Sequence, residues 1–469
     1  MNAARIGRAA AVIAAWLSVA GAAAPAGVRL PEFEQLTLAN GAQVALMPRR
    51  DTPLVAMHVL VRGGSLADAP GREGTASLLA DLMHKGAGAR DAAQFAEAIE
   101  GAGGSLSVAV DAESLAVGAD FLARDVGLMI ELAGDVLLRP RLAAEEFAKV
   151  RAVAIQSIAA AKDTDPSGLL DAYGDAWLFR DHPYGRPVDG SEESLAAVTL
   201  DDLESHYRAQ VRGDRLIIAV VGDFDPADVR ARLERAFGTL PRAEVLAPVA
   251  TAAAREQGRR VLLVDKPGAA QTYFWLGNVG ATRTDPERTV QTVVNTVFGG
   301  RYTSMLNTEL RMKSGLTYGA GSGFDRLAQP GAFRISSFTA TESTVPALDM
   351  ALATLDRLHR DGVDAATLES AKSYLQGQFP PTLETNGALA GRLTDLMLHG
   401  LGREDVDGFS ARVAAADDAS ARRAIDSAFP RSGDLVIVLV GDAARIRSDV
   451  GRYGAVTEMK LTDPRFSPR

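Results

Sequence analysis

The segment Arg212-Gly-Asp-Arg-Leu-Ile-Ile-Ala-Val-Val-Gly-Asp223 recurs near the carboxyl end as Arg431-Ser-Gly-Asp-Leu-Val-Ile-Val-Leu-Val-Gly-Asp442. An internal repeat of this kind restricts the chain to architectures built twice. Each copy is an apolar run that stops at a Gly-Asp turn, the pattern of a buried strand. Each also follows a long helical region, and each half opens on a similar strand and turn, residues 43–62 and 260–277. The expected fold is α+β: a tandem duplication of two homologous domains, each a mostly antiparallel sheet with packed helices. Within the first half, strands are expected over 54–61 and 105–110, and helices over 90–101, 123–138 and 143–161. Residues 241–258 hold two prolines and a run of alanines, and read as the linker between the halves.

Residues 1–26 carry Arg5 and Arg8, an apolar stretch over 9–20 and small residues at the end, the pattern of a secretory signal peptide. The apolar stretch is shorter than the roughly 20 residues that a membrane-spanning helix needs, so cleavage between Ala24 and Ala26 is expected, with no membrane span afterwards. The domain expectation is then 1–26 signal peptide, 27–240 first domain, 241–258 linker and 259–469 second domain. A periplasmic location fits best. The absence of cysteine excludes a disulfide framework and a thiolate metal site. A net charge of −9 argues against a general nucleic-acid surface, which needs clustered Lys and Arg.

The first half contains Gly74-Thr-Ala-Ser-Leu-Leu-Ala-Asp-Leu-Met-His-Lys-Gly86, set after a strand and a Gly-rich turn. This stretch resembles the pitrilysin/insulinase family of inverzincin peptidases. There the helix carries H-x-x-E-H, two zinc-binding histidines around a general-base glutamate. On that pattern the first histidine falls on Ser77, the glutamate on Ala80 and the second histidine on Asp81. The family's third ligand is a glutamate six residues after an arginine on a later helix; here the arginine is Arg151 and the sixth residue is Ser157. Zinc needs three protein donors and keeps one position for water, so the resemblance implies a degenerate site, with no zinc bound by this chain. No histidines stand at helical i, i+4 spacing, and the pair Asp81 and His84 reads as an exposed polar helix face.

In the second half, the stretch 298–324 is expected to begin as a helix, to end at Gly315 and to continue into a strand carrying Tyr318. It resembles the family's L-R-x-x-x-G-L-x-Y signature. The resemblance, which spans about residues 32–440, implies that Arg311 and Tyr318 bind the substrate backbone beside the zinc of a facing domain. The glycines at 299–300 and 319–323 lack the Gly-x-x-x-x-Gly-Lys-Ser/Thr context of a phosphate cradle, and the stretches 181–187, 265–271 and 319–331, the last read as a loop, are expected to be structural.

These features imply the non-zinc subunit of a periplasmic heterodimeric peptidase, inactive alone. Its partner would be a homologous subunit bearing H-x-x-E-H and zinc, and its substrates unfolded peptides. The alternative is a catalytically inactive pseudopeptidase that binds peptides or acts as a scaffold.

Overall fold

The computed structural model describes residues 27–243 and 250–468. The expected signal peptide and residues 244–249 of the expected linker lie outside the described residues.

The first half supplies β1 (Glu34–Thr37), β2 (Gln43–Pro48), β3 (Leu54–Arg62), a two-residue ladder of β4 (Gly86–Ala87) with β5 (Arg90–Asp91), then β6 (Ser105–Val110), β7 (Ser114–Leu122) and β8 (Leu216–Gly222). Six of these form one sheet in the order β1-β2-β8-β3-β7-β6, antiparallel except for the parallel pair β2–β8. The second half supplies β9 (Arg260–Asp265), β10 (Gln271–Val279), β11 (Ala320–Arg326), β12 (Pro330–Ala340), β13 (Val436–Gly441) and β14 (Ala455–Lys460). Their order is β11-β12-β10-β13-β9-β14. Read from the other edge it repeats the first sheet over five strands, including a parallel pair at β9–β13, and differs at the edge, where β14 runs parallel to β9 while β1 runs antiparallel to β2. The fold is therefore α+β and duplicated.

The repeated strands β8 and β13 are buried at every residue, because both faces of each sheet are covered. Side chains alternate across a strand, so each strand feeds two cores. In β8, Ile218 and Val220 enter the core beneath the first half's helices, and Ala219 and Val221 point the other way. That second face is covered by the Asn386–Leu398 helix of the other half, through Leu389, Leu393 and Leu396. The reciprocal arrangement holds for β13. Ile437 and Leu439 pack beneath the second half's helices, while Val436, Val438 and Val440 join the core that receives Leu170 and Tyr173 of the Leu170–Phe179 helix.

Each half thus lends one helix to the other's sheet. Gly174 makes one of these contacts possible, since a Cβ there would stand 2.5 Å from the Trp275 indole. The other loan is locked by hydrogen bonds. Arg62 donates to the Leu398 carbonyl at 2.8 Å and to that of Met397 at 3.1 Å, and His58 Nδ1 meets Thr394 Oγ1 at 2.7 Å. Basic groups on the last carbonyls of a helix satisfy orphan acceptors and favour its dipole.

Three local expectations need correction. The stretch 319–331 is a strand hairpin of β11 and β12, not a loop. Gly299 packs directly against Ser322 of β11, where a Cβ would stand 2.2 Å from Ser322 Oγ. Residues Arg90 and Asp91 belong to β5, and the helix begins at Ala92 under a capping box made by Asp91 and Gln94. Tyr318 precedes β11 by two residues and sits in the connection, not in a strand.

Candidate functional site

The Thr75–Met83 helix starts where buried Asp68 accepts hydrogen bonds from Gly74 N (2.9 Å) and Ala76 N (3.0 Å). Burial pushes the Asp68 carboxyl up to about 7. The helix packs against the Ala144–Thr164 helix, as the sequence expectation for a two-helix site requires. The side chains at the four expected positions cannot serve a metal. Ser77 Oγ donates to Asp189 Oδ1 at 2.9 Å, Ala80 is a buried methyl in the core, Asp81 is exposed and Ser157 is exposed. Desolvation raises the Asp81 carboxyl, His84 opposes that shift and Asp189 adds to it. Among the described residues there is no group of three or more His, Asp or Glu side chains that could hold a metal ion. The donor set here does not fit zinc.

Reading Asp81 and His84 as one exposed polar face is correct only for Asp81. His84 is half-buried, and its Nε2 accepts the backbone N–H of Val108 in β6 at 3.0 Å. Because β6 is an edge strand bonded only to β7 within its sheet, this imidazole occupies one of the donors that an edge leaves open. Burial lowers the His84 pKa, which keeps the ring neutral and Nε2 an acceptor.

The second half presents its chemistry outward. After the Arg288–Phe298 helix and a turn, Ser304 caps a short helical segment, and residues Thr308–Lys313 widen into a π-helical turn. Such turns are rare and recur at functional sites. Gly315, at φ +66°, ends the segment as expected, with its N–H on the Arg311 carbonyl at 3.0 Å. Arg311 projects from the π turn between two aromatic rings. Its guanidinium carbon lies 4.6 Å from the Tyr318 ring centroid and 5.0 Å from that of Tyr302. Both rings are strongly exposed, Tyr318 at 74% and Tyr302 at 59%.

Tyr302 is a site residue that the sequence reading missed. It lies nine positions before Arg311 across a non-helical turn, so no helical spacing links the two. Asn307 and Thr317 hold the arrangement together. Asn307 Nδ2 donates to the Tyr302 carbonyl at 2.6 Å, and its Oδ1 accepts from Ala320 N at 3.3 Å. Buried Thr317 shares a 2.8 Å hydrogen bond with Ser337, pinning the residue beside Tyr318.

The nearest acid on the segment is occupied elsewhere. Glu309 accepts from Lys313 Nζ (3.0 Å) and Arg357 Nη1 (2.9 Å). Burial alone would raise its carboxyl, but those two cations hold it below the usual carboxylate range. Among the described residues the Arg311 guanidinium has neither an ion pair nor a hydrogen bond. A guanidinium held against two rings and free of hydrogen bonds keeps its N–H fork available, the group that donates to peptide carbonyls or a carboxylate.

Comparisons with known proteins give the family. Residues 43–192 match the profile described as Insulinase (Peptidase family M16), and residues 197–375 that described as Peptidase M16 inactive domain. An uncharacterized zinc protease of Mycobacterium leprae (strain TN) is 31% identical over 361 residues, covering 76% of this chain and 80% of the relative. One from Streptomyces coelicolor is 28% identical over 380 residues, covering 80% and 82%. Two solved structures share the fold. The peptidase M16 inactive domain from Pseudomonas fluorescens has a TM-score of 0.82 at 22% identity, covering 88% of this chain and 98% of that one. A protease from Helicobacter pylori has a TM-score of 0.81 at 21% identity, covering 88% and 100%.

Proposed function

We propose that this chain, which belongs to the insulinase-type M16 peptidase family, is the non-zinc subunit of a periplasmic heterodimeric metallopeptidase and lends Arg311 and Tyr318 to a partner's zinc site. The carrying observation is the unpartnered Arg311 guanidinium between two exposed tyrosine rings, in a chain whose own metal positions hold Ser77, Ala80, Asp81 and Ser157. A partner bearing H-x-x-E-H supplies the metal and the base. Arg311 donates to the carbonyls of an extended peptide, and Tyr318 adds a phenolic donor beside it. Peptide hydrolysis builds negative charge on a carbonyl oxygen, and a preorganised cationic donor stabilises that charge more than it stabilises the substrate. Tyr302 is a positioning residue. As the second ring against the guanidinium, it restricts the directions in which the donors point.

The test is reconstitution with an H-x-x-E-H homologue expressed from the same source. The mixture is expected to cleave unfolded peptides in a zinc-dependent manner, at a rate the partner alone does not reach. Cleavage by the mixture no faster than by the partner alone, or undiminished by Arg311→Ala, overturns the reading. Stable peptide binding by this chain alone, with no affinity for such a partner, would instead support a stand-alone pseudopeptidase.

A further inference from the structure

An arginine cluster, separate from Arg311, lines a cavity of about 230 Å³ between the Arg288–Phe298 and Asn386–Leu398 helices. Five guanidinium groups converge there, from Arg283, Arg288, Arg326, Arg392 and Arg412, in a chain whose overall charge is −9. Four carboxylates answer them: Asp405, Asp395, Asp285 and, beside Arg412, Glu404. Asp405, nearly buried, takes Arg283 at 2.9 Å and also pairs with Arg288; Asp395 takes Arg283 at 2.8 Å and lies 3.5 Å from Arg392. Asp285 spends its oxygens on Glu287 N (2.8 Å) and Gln291 Nε2 (3.1 Å).

Arg326 is left over. Its guanidinium donates to Gln291 Oε1 at 2.8 Å, more weakly to the Thr282 and Arg288 carbonyls at 3.4 Å, and forms no ion pair among the described residues. Burial first, then the neighbouring Arg283 and Arg288, press its pKa down to about 10, against the pull of Asp285. Arg326 is half-buried, lies 4.8 Å over the Phe324 ring and feels the Asp285 carboxylate without forming an ion pair with it, and a purely structural network would be expected to match its charges more closely. The excess here is positive, and it faces open space. Arg412 and Arg392, each about one-third exposed (33% and 30%), form the mouth. The stacked rings of Phe379 and Phe409, 4.1 Å apart, form an apolar wall. Water occupies about 30 Å³ per molecule in the liquid, so the space accommodates a small oxyanion with part of its hydration shell.

We infer that this cavity is a binding site for an oxyanion, a phosphate group or a carboxylate, that completes the charge of Arg326 and its neighbours. The guanidinium fork matches both chemistries, since each presents two coplanar oxygens. The inference does not depend on the peptidase reading, because the cavity is lined by this chain alone and its occupancy is measurable without a partner.

The experiment is calorimetric titration of the full chain with inorganic phosphate and, separately, with acetate, at fixed ionic strength maintained with chloride. Thermal unfolding is followed in the same solutions. Saturable binding near one equivalent is expected for at least one probe, with a matching rise in Tm; whichever probe binds more tightly identifies the source of the ligand. Arg326→Gln is expected to weaken that binding at least tenfold. If that variant does not fold, Arg412→Gln at the exposed mouth is expected to weaken it several-fold. A response to both probes no larger than to chloride, or equal binding in folded Arg326→Gln or Arg412→Gln protein, overturns the site.

Discussion

The two halves of this chain were built to the same strand plan and have put their corresponding chemistry to opposite uses. In the first half the polar groups around the Thr75–Met83 helix are turned into structure: Ser77 is bonded to Asp189, His84 to the edge of β6, and Ala80 is core. In the second half, Glu309 absorbs Lys313 and Arg357, so that Arg311 stands unpaired between two exposed rings. The lesson is that loss of a catalytic site is recognised by where side chains spend their hydrogen bonds, as much as by which residues are missing. A side chain already satisfied is anchored; one held in place yet unsatisfied is available.

The contrast can be broken most easily at Arg311. In the reconstituted peptidase, Arg311→Ala is expected to lower kcat/KM by about 10²–10³-fold, as for loss of one oxyanion donor. Arg311→Lys should recover little, because an ammonium has no planar fork. Ser77→Ala, the matched change in the first half, should leave kcat/KM within about twofold, and a large loss there would show that the two stations are not divided as described.

The next effect in size is structural. His84→Ala strands the Val108 N–H at the edge of β6, so a loss of about 1–3 kcal/mol in urea unfolding is expected. Equal stability of that variant would mean that the first-half contacts are incidental. Tyr302→Ala should cost a few-fold in activity, in line with about 0.5–1 kcal/mol for an exposed cation–ring contact. Tyr302→Phe should restore it, since the ring face remains. Failure of phenylalanine to rescue would mean that the hydroxyl, not the stacking, matters.

The smallest effect is a pH dependence. The folded chain holds His84 below its ordinary pKa of about 6.5, so the unfolded chain binds the proton more readily. Stability from this group is complete above about pH 6.5 and is lost as pH falls through the lowered folded value, with a slope no steeper than about 1.4 kcal/mol per pH unit. The difference between wild type and His84→Gln in chemical unfolding should shrink on acidification from pH 7. A difference that grows instead would reverse the sign assigned to this histidine.

Much of this was legible in the residues. The duplicated strands announced themselves because β8 and β13 are covered on both faces, which leaves no polar alternation to blur the run. The degenerate metal positions and the Arg311–Tyr318 spacing were likewise visible as residue identities at fixed offsets. What escaped was partnership. An apolar stripe shows that the Asn386–Leu398 helix has a buried face, but not that β3 and β8 of the other half receive it. Tyr302 escaped because a turn, not a helix, carries it to Arg311. Tyr318 was placed in a strand because glycines near it obscured where β11 begins, and His84 was taken as exposed because spacing says nothing about a strand packed alongside.

The loan of one helix from each half to the other's sheet changes what the duplication means for the chain's history. Either half alone would leave the outer face of its central strand to water. Once fused, each half became the other's missing layer, and Gly174 against Trp275 and Arg62 against the Leu398 carbonyl are the seams of that dependence. A truncation at the linker would therefore not yield two smaller proteins but two unfinished ones, each with an uncovered sheet.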